Sequence, residues 1–221
     1  MMKKVGLLLS GSGFNDGSDI HESVISMLAL DRAGVETVIM APNIDQMHVV
    51  NHYTGQEMDE FRNVLVESSR IARGNIKDMA EVTGNDIDAL IIPGGFGVTK
   101  NLSDYAMAGA DCSVNPDVYR LVSEVYLLQK PIGAICIAPV MMAKIFGDQD
   151  EFAEMTVGSD VLSSKDINTM GSKHIKCSVS EIIIDKDKKL VTTPAYMEGK
   201  SIKAVAEGIE KLVKQVVLMI E

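Results

Sequence analysis

The sequence predicts an α/β fold with a mostly parallel central sheet and an added antiparallel hairpin, and three observations carry this. Short apolar runs at residues 5–9, 35–40, 87–92 and 132–135 alternate with stretches of helical spacing, the pattern of buried strands linked by helical crossovers. The runs break into turn formers, as at Ser10-Gly-Ser-Gly13 and Pro93-Gly-Gly-Phe-Gly97. Late in the chain, runs 181–184 and 190–193 flank only the charged turn Asp185-Lys-Asp-Lys-Lys189, which suits two adjacent antiparallel strands.

Taken in order, residues 5–9 form a first buried strand and 10–19 a long loop rich in Gly, Ser, Asn and Asp. Asp19 can cap a helix whose apolar stripe is Ile20, Val24, Met27 and Leu28, and Gly34 ends it before the strand at 35–40. Residues 42–63 mix polar groups with His48, His52, Tyr53 and Gly55 and predict an irregular excursion. A helix over 64–73 stops at Gly74, and a strand follows at 87–92. Asn115 and Pro116 start the next helix, with Val118, Leu121, Val122, Val125 and Leu128 on one face.

The strand at 132–135 then meets a helix with Pro139 in its first turn, closed by Gly147. Beyond it come a short strand at 155–157, a helix at 161–170 and the hairpin. The final helix, 199–220, carries Ile202, Val205, Ala206, Ile209, Leu212, Val213 and Val216 on one face. No repeat or linker divides the chain, so one domain over residues 1–221 is expected.

Composition narrows the function classes. A net charge of -10 opposes nucleic acid as a partner, because phosphate neutralisation needs a basic surface. The apolar stretch from 132 to 146 is broken by Pro139 and Lys144, so no membrane span is expected. Met-Met-Lys-Lys leads directly into 5–9, too brief for a secretory signal, and a cytoplasmic location is the expectation. Cys112, Cys136 and Cys177 are scattered without a Cys-x-x-Cys, which suggests reduced thiols and no disulfide framework.

Cys136 falls where a strand becomes a helix, with Ala134 and Ala138 two positions to either side. A sharp turn needs such small neighbours, and it would raise the thiol above the positive end of the following helix, a field that favours thiolate. A buried core cysteine is the alternative. The turn at Gly94, Gly95 and Gly97 could offer backbone amides to an oxyanion at Cys136, or could be a tight turn and nothing more. Glu22 could stand beside the thiol as a carboxyl that resists ionisation. Asp19-Ile-His-Glu22 also has capping-box spacing, and locally that reading is the stronger. His48 and His52 stand four apart but lack a third ligand, so no metal site is expected. His21 should point away from Glu22, and His174 reads as a surface residue.

Several blocks in one order resemble the ThiJ/PfpI superfamily, relatives of class I glutamine amidotransferase domains, and more closely the ElbB-like glyoxalases, also called enhancing lycopene biosynthesis proteins. They are Leu9-Ser-Gly-Ser-Gly-Phe-Asn-Asp-Gly-Ser-Asp-Ile-His-Glu22, Asn51-His-Tyr-Thr-Gly55, Arg62-Asn-Val-Leu65, Pro93-Gly-Gly-Phe-Gly97, Lys100-Asn-Leu-Ser103, Cys136-Ile-Ala-Pro139 and Val191-Thr-Thr-Pro-Ala-Tyr-Met197. The resemblance implies a flavodoxin-like three-layer sandwich with Cys136 as nucleophile and Glu22 as its acidic partner. It also implies conversion of glyoxal or similar small dicarbonyls to the hydroxy acid, without glutathione, metal or other cofactor. Gly94, Gly95 and the Ile137 amide would steady the oxyanion.

Many superfamily members carry a histidine directly after the cysteine or about twenty residues on, where this chain reads Ile137 and Glu154-Met-Thr-Val-Gly158. The late amidotransferase histidine is also absent around Thr193-Pro-Ala-Tyr196, which argues against glutamine hydrolysis. His21, His52 or water are the substitutes the sequence offers. A non-enzymatic redox or carbonyl sensor using Cys136 is the alternative function. A homodimeric state and a link to isoprenoid metabolism are expectations that no residue explains.

Overall fold

The computed structural model describes residues 2–220. Its elements in chain order are β1 Lys4–Leu8, α1 Ile20–Arg32, β2 Glu36–Ala41, β3 Val50–Asn51, β4 Gln56–Glu57, α2 Val64–Ile71, β5 Lys77–Asp78, β6 Ala89–Ile92, α3 Phe96–Lys100, α4 Tyr105–Ala108, α5 Pro116–Leu127, β7 Ile132–Ile135, α6 Ala138–Gly147, β8 Glu154–Met155, α7 Val161–Thr169, β9 Lys173–His174, β10 Ile183–Asp185, β11 Leu190–Thr193 and α8 Ile202–Leu218. The central sheet runs β10-β11-β7-β6-β1-β2-β5. Every neighbouring pair is parallel except β10 with β11, where Ile184 lies opposite Val191. This is the expected flavodoxin-like sandwich with its hairpin edge.

Buried runs make the sheet continuous. Val5, Leu7, Leu8, Leu90, Ile91, Ile92, Ile132 and Ile135 are wholly withdrawn from solvent, as parallel strands covered on both faces require. α8 lies along β7 and β11 with α1 packed beside it, while α5 packs on β6 and α6 on β7. Gly133 lets α8 approach, since a Cβ there would meet Leu212 at 2.7 Å and Val216 at 3.1 Å. Asn115 caps α5 by accepting from the Asp117 and Val118 amides, as its sequence predicts.

Three expectations need correction. The apolar stripe of α1 faces outward: Ile20, Val24 and Leu28 are each nearly half exposed, and Glu22, Ser23, Ser26, Ala29 and Leu30 are buried instead. The helix turns its small polar side inward because that side carries Glu22 to the ends of the strands and packs tightly on α8. The stretch 42–63 is not wholly irregular. Val50 pairs with Glu57 and Asn51 with Gln56 in a short hairpin, tied down where the Val50 amide donates to the buried Asp16 carboxylate at 2.7 Å. His174 is not a plain surface residue: it pairs with Met155 between β8 and β9, its Nε2 is shielded from solvent, and burial lowers its affinity for a proton.

Candidate active site

The sharp bend expected at Cys136 is present. β7 ends at Ile135, α6 begins at Ala138, and Cys136 between them has φ 62°, a left-handed conformation costly for a residue with a Cβ. Two things hold it there. Its amide donates to the Thr193 carbonyl at 2.9 Å, fastening the bend to the end of β11, and the fully buried Ala134 and Ala138 leave room around it. Gly94 is a close-approach position, since a Cβ there would sit 2.5 Å from Cys136 Cβ and 2.8 Å from Glu22 Oε2. Gly95 has φ 98°, and a side chain there would run into the Gly17 carbonyl and the Asp19 amide.

The loop after β1 and the loop after β6 are thereby locked together. The Asp19 amide donates to the Gly94 carbonyl at 2.9 Å, the Gly97 amide to Gly17 at 2.9 Å, and the Phe96 amide to Phe14 at 2.7 Å. Asn101 reaches across with Nδ2 to the carbonyls of Ser10 and Asp16. Asp19 caps α1 by accepting from the Glu22 amide. The first turn of that helix therefore presents Glu22 to Cys136.

Glu22 has no exposed surface, and its Oε2 accepts the Gly94 amide at 2.8 Å while Oε1 faces the Tyr196 amide at 3.5 Å. Burial is the main force on its carboxyl and the Asp19 charge the second; together they push it up to about 8 against the pull of these amides and of Cys136. Glu22 is thus protonated at neutral pH. The Cys136 thiol, 8% exposed and hydrogen-bonded with Glu22, is held well above the ordinary thiol range by burial first and by negative charge on Glu22 second. The Gly95 amide points at the sulfur and works in the opposite direction, toward thiolate. When the pair gives up its first proton, near pH 8, the two groups hold one proton and one charge between them. A thiol that loses its proton to an adjacent carboxylate is a nucleophile with its own general base.

Of the residues singled out in the sequence, the structure brings Cys136, Glu22, Gly94 and Gly95 together, with Ile137 capping α6 next to the sulfur. Gly94 needs a correction: its amide is engaged by Glu22 and is not directed at an incoming oxygen. Capping and proximity to the thiol also do not compete. Asp19 supplies the cap, which frees the Glu22 carboxyl for Cys136. His52 holds the loop 10–19, with Nδ1 on the Val50 carbonyl and Nε2 accepting the Asn15 amide. Among the described residues no group of three His, Cys, Asp or Glu could hold a metal ion. Sequence reasoning passed over Asp19 as an electrostatic partner of the pair, and Tyr196, whose hydroxyl meets His21 Nδ1 at 2.8 Å.

A model of the DJ-1/PfpI family matches residues 3–195. The chain belongs to the DJ-1/PfpI family. It is 42% identical to the human glutamine amidotransferase-like class 1 domain-containing protein 3, mitochondrial, over 96% of this chain and 82% of that protein. It is 31% identical to the zebrafish (Danio rerio) ES1 protein, mitochondrial, over 97% of this chain and 85% of that one. The crystal structure of an Ehrlichia chaffeensis isoprenoid biosynthesis protein with an amidotransferase-like domain superposes with TM-score 0.93 at 36% identity, covering 99% of this chain and all of that one. Drosophila melanogaster DJ-1beta, at 18% identity and TM-score 0.58, shares the fold. Among the described residues of this DJ-1/PfpI member, no helix is long and apolar enough to cross a membrane.

Proposed function

We propose that this protein is a cofactor-independent glyoxalase that isomerises and hydrates glyoxal, or a similarly small dicarbonyl, to the hydroxy acid through Cys136. The observation that carries this reading is a buried carboxyl pushed up to about 8, which lets it both take and return a proton near neutral pH, in hydrogen-bond contact with a thiol on a strained bend. Glu22 in its ionised form takes the thiol proton as sulfur bonds to one aldehyde carbon, and the developing oxyanion accepts from the Gly95 and Ile137 amides. Glu22 then returns that proton to the oxygen, giving a thiohemiacetal.

The same carboxylate removes the hydrogen on the sulfur-bearing carbon. Electrons shift to make an enediol, the hydrogen returns on the second carbon, and the first oxygen loses its proton while the second gains one. One carbon is oxidised and the other reduced, so no external oxidant or reductant is required. Water cleaves the resulting thioester, releases the hydroxy acid and restores the thiol. Gly94 positions Glu22 and makes no contact with substrate in this scheme.

Three free cysteines suit a reducing compartment, cytoplasmic or mitochondrial. Glyoxal consumption and glycolate appearance, measured for the parent, Cys136→Ala and Glu22→Gln, test the proposal: both variants should lose turnover, and equal rates in all three would sink it. If the parent has no turnover, the same sulfur is read as a sensor. Mild peroxide should then modify Cys136 ahead of Cys112 and Cys177.

A further inference from the structure

Three hydrogen bonds close a ring through Asp19. Its amide donates to the Gly94 carbonyl at 2.9 Å, the Gly94 amide donates to Glu22 Oε2 at 2.8 Å, and the Glu22 amide returns to Asp19 Oδ1 at 3.1 Å. The loop after β1, the first turn of α1 and the loop after β6 are joined in it. The Asp19 carbonyl also accepts the Ser23 amide at 3.0 Å and the Ser23 hydroxyl at 2.7 Å. Capping a helix needs only an acceptor oxygen, and Ser or Asn serves there as well as Asp. A carboxylate brings a charge as well, and here it stands next to a carboxyl and a thiol that are both buried.

We propose that Asp19 is a positioning residue for the Cys136 and Glu22 pair: its side chain fixes the stance of Glu22 through this ring, and its charge sets the pH at which the pair becomes reactive. The role in turnover rests on the glyoxalase reading, whereas the ring and its effect on titration need no substrate. The Asp19 charge opposes ionisation of the Glu22 carboxyl and, separately, of the Cys136 thiol. Groups facing the pair from other elements act the other way: the Gly94 and Tyr196 amides favour charge on Glu22, and the Gly95 amide favours it on Cys136. His21, on α1 itself, turns Nδ1 to the Tyr196 hydroxyl, and Asp16, on the loop after β1, accepts the Val50 amide. On α8, Glu210 pairs with Arg32 at the far end of α1. Asp19 therefore adds to the effect of burial from the same position that anchors the acid.

Asp19→Asn separates the two duties, because it keeps the capping oxygen and removes the charge. Without glyoxal, the Glu22 carboxyl followed by carbon NMR should titrate about one pH unit lower in Asp19→Asn than in the parent, where the midpoint is about 8. The pH profile of Cys136 alkylation should move to the acid side with it. Asp31→Asn removes a carboxylate from the exposed far end of α1 and should leave both where they are. An Asp19→Asn midpoint equal to the parent's, or an equal displacement in Asp31→Asn, overturns the role of the charge. With glyoxal, Asp19→Ala should lower kcat about tenfold with KM within twofold, and Asn at the same position should restore most of that loss. Parent kcat in Asp19→Ala overturns the positioning role, and should that variant fail to fold, the Asn titration still decides on the charge. If the parent does not consume glyoxal but the Asn midpoint moves, the glyoxalase reading falls and the role of Asp19 in titration stands. If it turns over glyoxal and the midpoint does not move, the role of the Asp19 charge falls alone.

Discussion

α1 and α8 pack against each other on the same sheet, yet they turn opposite kinds of residue inward. α8 buries Val205, Ile209, Leu212, Val213 and Val216, the apolar stripe visible in its sequence. α1 buries Glu22, Ser23 and Ser26 and leaves Ile20, Val24 and Leu28 facing water. A helix that serves only the core is oriented by its hydrophobic face. One that must deliver an acid to a thiol is oriented by that acid, with the remaining packing arranged around it. The contrast separates a helix oriented by the acid of the proposed chemistry from one oriented by its apolar face, and substitutions can break that division or sharpen it.

The largest effect should come from the sulfur that α1 serves. Cys136→Ser should lower glyoxal turnover about 1,000-fold or more while leaving the fold intact, because covalent attack is lost and oxygen at that bend is a far weaker nucleophile. Glu22→Gln should lower turnover about 100-fold, the usual contribution of a positioned acid or base. Its effects on titration and stability run the other way. Without a negative neighbour the Cys136 thiol should ionise at lower pH than in the parent, as alkylation rate against pH would record.

Stability adds a sign. The Glu22 carboxyl takes up protons more strongly folded, at about 8, than at its ordinary value of 4.5, so the parent loses stability as pH rises through that window. Glu22→Gln lacks this loss, and its advantage in denaturant midpoint should grow from pH 5 to pH 8.5. Leu212→Ala, on the partner helix, should instead destabilise by about 2–5 kcal/mol at every pH, with turnover per folded molecule unchanged. The smallest effect belongs to the outer face of α1: Val24→Ser should alter stability by about 0.5 kcal/mol or less in thermal unfolding, where a core position would cost several times more.

The parts of the fold that read directly from sequence are those where one physical demand acts. The strands are continuous apolar runs because both faces are covered, and α5 begins where Asn115 can cap it and Pro116 can open it. The bend at Cys136 was legible because a strand pattern, flanking alanines and a helix-starting proline all point to the same few residues. α1 was misread because its apolar residues recur at the right spacing on the wrong face. Periodicity identifies a helix, but it cannot say which side is inward when a buried carboxyl competes for that place. The Gly94 amide donates to Glu22 where an open oxyanion donor is expected, and the direction of one amide is a property of packing that no local pattern prints. Tyr196 lies 60 residues beyond Cys136 in sequence, and no local pattern connects it to Glu22; the sheet order β11-β7-β6-β1 brings the chain after β11 and the helix after β1 to the same end of the sheet.

Acid quench of the parent during glyoxal turnover, followed by peptide mass spectrometry, tests the covalent role of Cys136 most directly. A two-carbon adduct confined to the Cys136 peptide, with Cys112 and Cys177 unmodified, is the predicted result. Glycolate formation at the parent rate by Cys136→Ser, with no adduct on any peptide, would contradict it.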